Sequence, residues 1–119
     1  MKNFRDLKVW HKSHELTLLI YKETKSFPKE ELYGLTSQIR RACASVPANI
    51  AEGCGKSTDA DFARFLQIAF GSANELEYHQ ILARDLEILD NNTHNTLELG
   101  LIEVKKMLAS LITKIRTNS

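Results

Sequence analysis

The strongest constraint in the sequence is a long apolar seam in its last third. From Leu97 to Ile115, apolar residues are separated by alternating steps of four and three positions. The members of this seam are Leu97, Leu101, Val104, Leu108, Leu111 and Ile115. This spacing places them on one face of an α-helix that packs at a shallow angle against other helices. The seam therefore predicts a helix bundle.

Three further helices are predicted ahead of this one. They are expected at about residues 5–25, 29–53 and 58–89, and the last helix opens near Thr93. Core-facing residues recur at three- and four-residue steps. The predicted core faces are Leu7, Trp10, His14, Leu18 and Tyr21 in the first helix, then Leu32, Leu35, Ile39, Ala42, Val46, Ile50 and Gly53 in the second, and Phe62, Phe65, Leu66, Ala69, Ala73, Leu76 and Ala83 in the third.

Local signals mark the ends of these helices. Pro47 lies inside the second seam, which continues beyond it, so we expect a kink there and not a helix end. Thr58 begins a Thr-Asp-Ala-Asp run that resembles a capping box and predicts the start of the third helix. Glu30 and Glu31 are expected in the first turn of the second helix, where the helix dipole favours carboxylates.

The fold class follows from these elements. No segment alternates with a period of two, and short connections between long helices imply antiparallel neighbours. A chain of 119 residues is one domain by length. We therefore predict an all-α, antiparallel up-down-up-down four-helix bundle formed by residues 1–119.

The cysteines and the hydropathy indicate a cytoplasmic protein. Cys43 and Cys54 are the only cysteines, and a rise of roughly 16 Å along one helix is too far for a disulfide. Reduced thiols are typical of the cytosol. The sequence begins without an apolar signal region and has no apolar run of membrane-spanning length.

Sites for catalysis, cofactors and metals are not predicted. Gly55-Lys56-Ser57 resembles the end of a phosphate-binding loop, but Ile50 occupies the position of the first glycine. No glutamate has a histidine three residues later, as a di-iron bundle requires. Cys43 and Cys54 fall on the apolar side of their helix, where thiols are usually unreactive. We therefore expect a non-enzymatic protein without a cofactor.

Charge is distributed unevenly although the net charge is only +1. Residues 1–30 hold seven Lys or Arg against four Asp or Glu, and residues 58–90 hold two against seven. Arg40, Arg41, Lys56 and Arg64 are candidate contacts to nucleic-acid phosphates. The two arginines have an alternative role as partners of the acidic third helix. A chain with almost no net charge has no general attraction for nucleic acid.

The back of the second helix is predicted to form an oligomer interface. It carries small residues where a solvated surface would normally carry Lys, Glu and Gln. The predicted interface residues are Gly34, Arg41, Ala44, Ala48 and Ala51. The third helix also has more apolar residues off its seam than one core can easily bury, namely Ile68, Phe70, Tyr78, Ile81, Leu82 and Leu86. An alternative is that the alanines merely favour helix.

The motifs of the second helix resemble those of a known family. The segments 38–42 (Gln-Ile-Arg-Arg-Ala) and 45–53 (Ser-Val-Pro-Ala-Asn-Ile-Ala-Glu-Gly) are very similar to the signature of proteins encoded in intervening sequences of bacterial 23S rRNA genes. The resemblance covers nearly the whole chain, because further residues match in the family's order. They are Phe4, Leu7, Val9 and Trp10, then Phe27, Pro28, Glu31, Leu32, Tyr33, Gly34 and Leu35, and then Phe65, Leu66, Gln67, Ile68, Ala69, Gly71, Ser72, Glu75 and Leu76.

This resemblance implies a four-helix bundle that assembles into a ring, typically a pentamer. It implies no catalytic residues. Relatives act as accessory proteins of diversity-generating retroelements, where they bind a reverse transcriptase and nucleic acid. Two hypotheses follow: an oligomeric scaffold or adaptor, and an accessory factor that binds RNA or DNA. Those relatives are strongly basic, and the near-neutral charge of this chain favours the first hypothesis.

Overall fold

The computed structural model describes residues 2–118, which form four helices. These are α1 (Lys8–Glu23), α2 (Leu35–Cys54), α3 (Asp59–Asp85) and α4 (Asn91–Thr117). α1 packs against α2 and α4, and α3 packs against the same two helices. The predicted all-α, up-down-up-down bundle is confirmed: it measures 46 × 23 × 19 Å, and residues 2–118 contain no β-strand.

α1 and α2 are shorter than the sequence indicated. Residues 4–6 and 24–26 form 3₁₀ turns at the two ends of α1, and residues 29–31 form another. α2 begins only at Leu35 because Gly34 adopts φ −112° and ψ −112°, outside the helical region. The Glu31 carboxylate accepts a hydrogen bond from the Leu35 N–H at 3.0 Å. Glu31 therefore caps α2 from outside and does not lie in its first turn.

α3 ends at Asp85, four residues before the predicted position. The helix stops because Glu87 has a φ of 62°, in the left-handed region. The amides of Ile88 and Leu89 then both donate to the carbonyl of Ala83, at 2.9 and 3.1 Å. These two hydrogen bonds close the end of the helix in place of another helical turn.

Side chains cap the starts of the two longest helices. Thr58 Oγ1 accepts a hydrogen bond from the Asp61 N–H at 3.1 Å, which confirms the predicted cap of α3. At α4, Asp90 Oδ1 accepts from the Thr93 N–H at 2.7 Å, and the Thr93 hydroxyl donates to Oδ2 at 3.0 Å. Both hydrogen bonds hold the pKa of Asp90 below its usual value. The cap of α4 is therefore complete when Asp90 is ionised.

The core follows the predicted seams in α2, α3 and α4. In α2 every predicted member is buried except Leu32, which precedes the helix and is 49% exposed. In α3, Phe65 is only half-buried, and in α4 Ile112 is buried where Leu111 was expected. The largest fully buried apolar side chains are Ile20, Ile39, Ile50, Leu66, Leu76, Leu101 and Leu108.

The core face predicted for α1 is wrong. Leu18 and Tyr21, two members of that face, are 58% and 42% exposed, and its other three members are half-buried. The face that points into the core is turned by roughly 100°, one residue step of a helix. It consists of Val9, Ser13, Leu16, Thr17 and Ile20.

α2 continues through Pro47, as predicted. Because Pro47 has no N–H, the carbonyl of Cys43 loses its usual partner within the helix. The Thr17 hydroxyl of α1 lies 3.1 Å from this carbonyl and 2.8 Å from the carbonyl of Ser13 in its own helix. The hydroxyl shares its one proton between the two carbonyls, so Thr17 gives the buried Cys43 carbonyl a hydrogen-bond partner from α1 in place of the donor that proline removes.

Replacing Thr17 by valine is expected to lower the free energy of unfolding by about 1–2 kcal/mol, because the buried Cys43 carbonyl loses its donor. Urea unfolding measures the change. Thr96→Val is the matched control, since the Thr96 hydroxyl bonds only to the exposed carbonyl of Asn92 in its own helix; a change within about 0.5 kcal/mol is expected. Pro47→Ala restores an N–H, so Thr17→Val should cost little in that background. An equal cost in both backgrounds would contradict the assignment.

Candidate assembly surface

Of the five residues predicted to form an oligomer interface, four lie on the side of α2 away from the core, and Gly34 immediately precedes the helix. Arg41 and Ala48 are exposed, whereas Gly34, Ala44 and Ala51 are half-buried. Small side chains along this side of α2 would let a second helix approach closely. The surface is thus accessible in the single chain, and its role as an interface stays a prediction.

Large apolar side chains lie exposed next to this strip, on α1 and on the segment leading into α2. They are Leu18, Tyr21, Leu32 and Tyr33, which we name the α1–α2 face. Tyr33 is 94% exposed, and the other three are between 42% and 58% exposed. Tyr21, Leu32 and Tyr33 line one shallow depression together with Arg41. Exposed apolar clusters with polar rims are typical of protein–protein contact surfaces.

Further apolar side chains lie on the outer surface of α4 and in the groove between α3 and α4. Leu99 is 71% exposed and Ile102 is 38% exposed, and Phe70 packs half-buried against the edge of the core. We name these three residues the α3–α4 face. Phe70 and Ile102 share a shallow groove with Lys105, Lys106 and Ala109. The groove is therefore apolar in its floor and basic along one side.

The two faces lie on opposite sides of the bundle. Each helix packs beside its neighbours in the chain, and α4 also packs beside α1, so the helices occupy the corners of a square in chain order. The edge formed by α1 and α2 is then opposite the edge formed by α3 and α4. Two different apolar faces on opposite sides of one chain suit a head-to-tail contact between copies.

Arg40, a candidate phosphate contact, is engaged within the chain. Its Nε donates to Thr24 Oγ1 at 2.9 Å, and its Nη2 donates to the Tyr21 carbonyl at 3.4 Å. The guanidinium also lies over the Tyr21 ring, 4.8 Å from the centroid. Arg41 donates to Gln38 Oε1 at 2.6 Å but is exposed. Arg40 therefore links α1 to α2, and Arg41 is the more available of the two.

Lys56 follows the C-terminal end of α2, and Arg64 lies near the start of α3. Their charged groups are 5.0 and 4.6 Å from the centroid of the Phe65 ring, and Arg64 also lies 3.7 Å from the Asp61 carboxylate. The helical rise separates Arg41 from Lys56 by roughly 20 Å. The four candidate residues thus form two separate pairs and not one basic patch.

Both cysteines are free and buried. Burial raises the pKa of the Cys43 thiol to about 11, and it also raises the pKa of Cys54. Because the thiolate is the nucleophile and the metal ligand, both groups are poor candidates for either role at neutral pH.

Within residues 2–118, no three His, Cys, Asp or Glu side chains are grouped to hold a metal ion. No helix in this range is long and apolar enough to cross a membrane.

The sequence indicated only part of this surface. Phe70 belongs to the off-seam excess predicted for α3, and Ile68, Tyr78 and Leu86 of that excess are exposed. The exposure of Leu99 and Ile102 was not predicted, because both lie off the apolar seam of α4. Their signal in the sequence is that two large apolar residues lie three positions apart outside that seam. The exposure of Leu18 and Tyr21 could not be predicted without knowing which side of α1 faces the core.

Comparisons with known proteins agree with the fold. A crystal structure of a protein with unknown function, from the S23 ribosomal protein family of Bacteroides thetaiotaomicron, superposes with a TM-score of 0.82. It is 31% identical in sequence, and the match covers 88% of this chain and 95% of that one. No curated protein matches the chain. The model of the 23S rRNA-intervening sequence protein family matches residues 5–110. The chain therefore belongs to the 23S rRNA-intervening sequence protein family.

Proposed function

We propose that this protein is a cytoplasmic, non-enzymatic scaffold or adaptor that works as a homo-oligomer. The observation that carries the proposal is the α1–α2 face, where Leu18 and Tyr21 form an apolar stripe at helical spacing outside the core. Both side chains are exposed in the single chain. Burying their apolar surface on association would stabilise the assembly by roughly 25 cal/mol per Å². The small net charge of +1 adds little repulsion between copies.

The α3–α4 face is the proposed partner of the α1–α2 face. A contact between two different faces is head-to-tail, and it produces a closed ring when the rotation between copies closes. In such a ring Arg41 would lie near the acidic helix α3 of the next copy, whose exposed residues include Glu75. A ring of five subunits is the assembly that the family resemblance implies, and we propose it as the assembled state.

Light scattering coupled to size exclusion tests the assembly. The wild type is expected at a multiple of the 13.5 kDa chain mass, ideally five times that value. Ala48→Arg, beside the α1–α2 face, and Leu99→Asp, on the α3–α4 face, are each expected to dissociate the ring, because each introduces a charge into the contact. Glu15→Arg is the control, since Glu15 is exposed beside Lys12 on the edge formed by α1 and α4, outside both proposed faces. A monomeric wild type would refute the assembly.

Mixing the two dissociated variants tests the head-to-tail geometry. Ala48→Arg keeps an intact α3–α4 face, and Leu99→Asp keeps an intact α1–α2 face. One good contact therefore remains in the mixture, so a head-to-tail contact predicts a 1:1 heterodimer that cannot extend. A symmetric contact between identical faces predicts no heterodimer. If Ala48→Arg alone keeps the wild-type mass, the back of α2 lies outside the interface.

An accessory factor that binds RNA or DNA is the alternative. It receives less support, because Arg40 is engaged within the chain, and Arg41 lies far from the Lys56–Arg64 pair. Titration of labelled RNA and DNA at 150 mM salt separates the hypotheses, since non-specific binding is about 10⁻⁴–10⁻⁶ M under such conditions. Nanomolar affinity, reduced by Lys56→Ala or Arg64→Ala, would favour the accessory factor.

A further inference from the structure

A cluster of charged side chains links α3 to α4 near the middle of both helices. Lys105 Nζ donates to Glu77 Oε1 at 2.8 Å, and the carboxyl groups of Glu77 and Glu98 are hydrogen-bonded to each other. A hydrogen bond between two carboxyl groups requires a proton on one of them. The Lys105, Glu77 and Glu98 side chains are only 23%, 26% and 22% exposed. The two carboxyl groups therefore lie close together where little water reaches them, an arrangement that favours one shared proton.

Buried polar groups without hydrogen-bond partners lie about one helical turn from Glu77 and Glu98. The two helices are antiparallel, so Gln80 on α3 and His94 on α4 lie at the same level of the seam. His94 Nε2 is 3.8 Å from Glu98 Oε2, beyond hydrogen-bond range. Within residues 2–118, the amide of Gln80, both ring nitrogens of His94 and Glu98 Oε2 have no hydrogen-bond partner. Gln80 is fully buried. Unsatisfied buried groups cost free energy, so these side chains weaken the contact between α3 and α4.

The titratable and charged groups around Glu98 come from the facing helix α3 and from α4 itself. Glu77 and, at greater distance, Arg84 face it from α3, and Lys105 and His94 lie on α4 itself. The charges of α1 nearest α4 lie on the other edge, where Lys12 pairs with Glu103 and Glu23 lies beside Thr96. No charged group of α2 contributes to the environment of either carboxyl. The net charge at this contact between α3 and α4 is therefore set by the two carboxyl groups and the cations beside them.

We propose that Glu77 and Glu98 form a proton-operated latch between α3 and α4. With one proton on the pair, Glu98 donates to the Glu77 carboxylate, Lys105 neutralises that carboxylate, and the seam is closed. Without the proton, two carboxylates face each other across a poorly solvated seam and share one ammonium. Their repulsion loosens the contact and gives water access to Gln80 and His94, whose polar groups gain partners when the seam opens.

The energetics of the two carboxyl groups support this direction. Burial is the main cause that raises the pKa of Glu98, with the hydrogen bond and charge of Glu77 adding to it, from 4.5 to about 7. Hydrogen bonds from Glu98 and Lys105 hold the pKa of Glu77 below its ordinary value. A raised pKa means that the folded state binds the proton more tightly than the unfolded state. Stability therefore falls as pH rises from about 4.5 to about 7. The contribution of Glu77 is lost only at more acidic pH.

Urea unfolding at pH 5 and pH 8, at one protein concentration, tests the latch. We expect the unfolding equilibrium constant of the wild type to rise by about tenfold or more across this range. Glu98→Gln should lose most of that rise, because the amide can donate to Glu77 at both pH values. Glu103→Gln is the matched control on the opposite edge of α4 and should keep it. His94→Asn should also keep most of it, which separates the latch from histidine titration, as imidazoles generally change charge between pH 5 and 8.

A second measurement does not depend on any variant folding. A ¹³C side-chain carboxyl titration of the wild type by NMR should place the Glu98 transition near neutral pH, and amide hydrogen exchange around residues 94–101 should quicken above it beyond the intrinsic effect of pH. A Glu98 transition near the ordinary value of 4.5 would overturn the proposal. So would a Glu98→Gln variant that keeps the full pH dependence of the wild type.

Discussion

Replacing Leu66 by alanine is expected to lower the free energy of unfolding by about 3 kcal/mol, within the roughly 2–5 kcal/mol range for buried leucines. Leu66 is fully buried on α3, the helix that packs against both α2 and α4. The loss combines the transfer free energy of the removed methyl groups with the cavity that remains. Urea or thermal unfolding measures it.

Leu18→Ala provides the comparison, because Leu18 is 58% exposed although its spacing predicts a core residue. In the single chain its replacement should change stability by no more than about 0.5 kcal/mol. A loss as large as that of Leu66→Ala, at a protein concentration where the chain is monomeric, would contradict the orientation of α1. If the loss appears only at concentrations where the protein assembles, it would instead support the α1–α2 face as a contact.

Alanine at Gly53 and alanine at Gly71 are expected to change stability in opposite directions. A Cβ at Gly53 would lie 2.9 Å from Phe65 Cβ and 3.1 Å from Phe62 Cδ1. Because Phe65 Cβ is fixed to the backbone of α3, the helices must move apart, and a loss of about 2 kcal/mol is expected. A Cβ at Gly71 would meet nothing within 4 Å. Gly71→Ala should therefore gain up to about 1 kcal/mol of helix propensity.

Thermal unfolding of both variants in parallel measures these effects. A neutral Gly53→Ala would mean that α2 and α3 do not cross as closely as the structure places them. A destabilised Gly71→Ala, with a fall that depends on protein concentration, would mean that another copy approaches α3 closely at that position. Each result thus tests a different contact of α3.

The sequence predicted most of the fold because three of the four helices carry one dominant apolar seam. In α4 the alternation of four and three steps is uninterrupted, and its buried residues are nearly those predicted. α1 carries two stripes. The more apolar stripe, with Leu18 and Tyr21, is the one that the sequence predicts as the core face. The structure instead buries the stripe that contains Ser13 and Thr17. Their hydroxyl groups donate hydrogen bonds to backbone carbonyls. Burying these two side chains therefore costs less free energy than their polarity suggests.

The candidate site was predictable only in part. The back of α2 could be inferred from composition, because alanines recur where a solvated helix normally carries charges. The carboxyl pair could not, since Glu77 and Glu98 are far apart in the chain and neither belongs to a recognisable motif. Their meeting depends on the register of α3 against α4. The connection between the two helices contains Glu87, whose left-handed conformation follows the end of α3.

The contact between Thr17 and the Cys43 carbonyl has a consequence for how sequences of this fold diverge. A proline at position 47 is tolerable only while a neighbouring helix supplies the missing donor, so the two positions, thirty residues apart, should change together during evolution. Lineages that replace the proline are released from the need for a hydroxyl at position 17 and can drift to valine or alanine there. Lineages that lose the hydroxyl first pass through a less stable intermediate. Related sequences should therefore contain proline with threonine or serine, but rarely proline with valine.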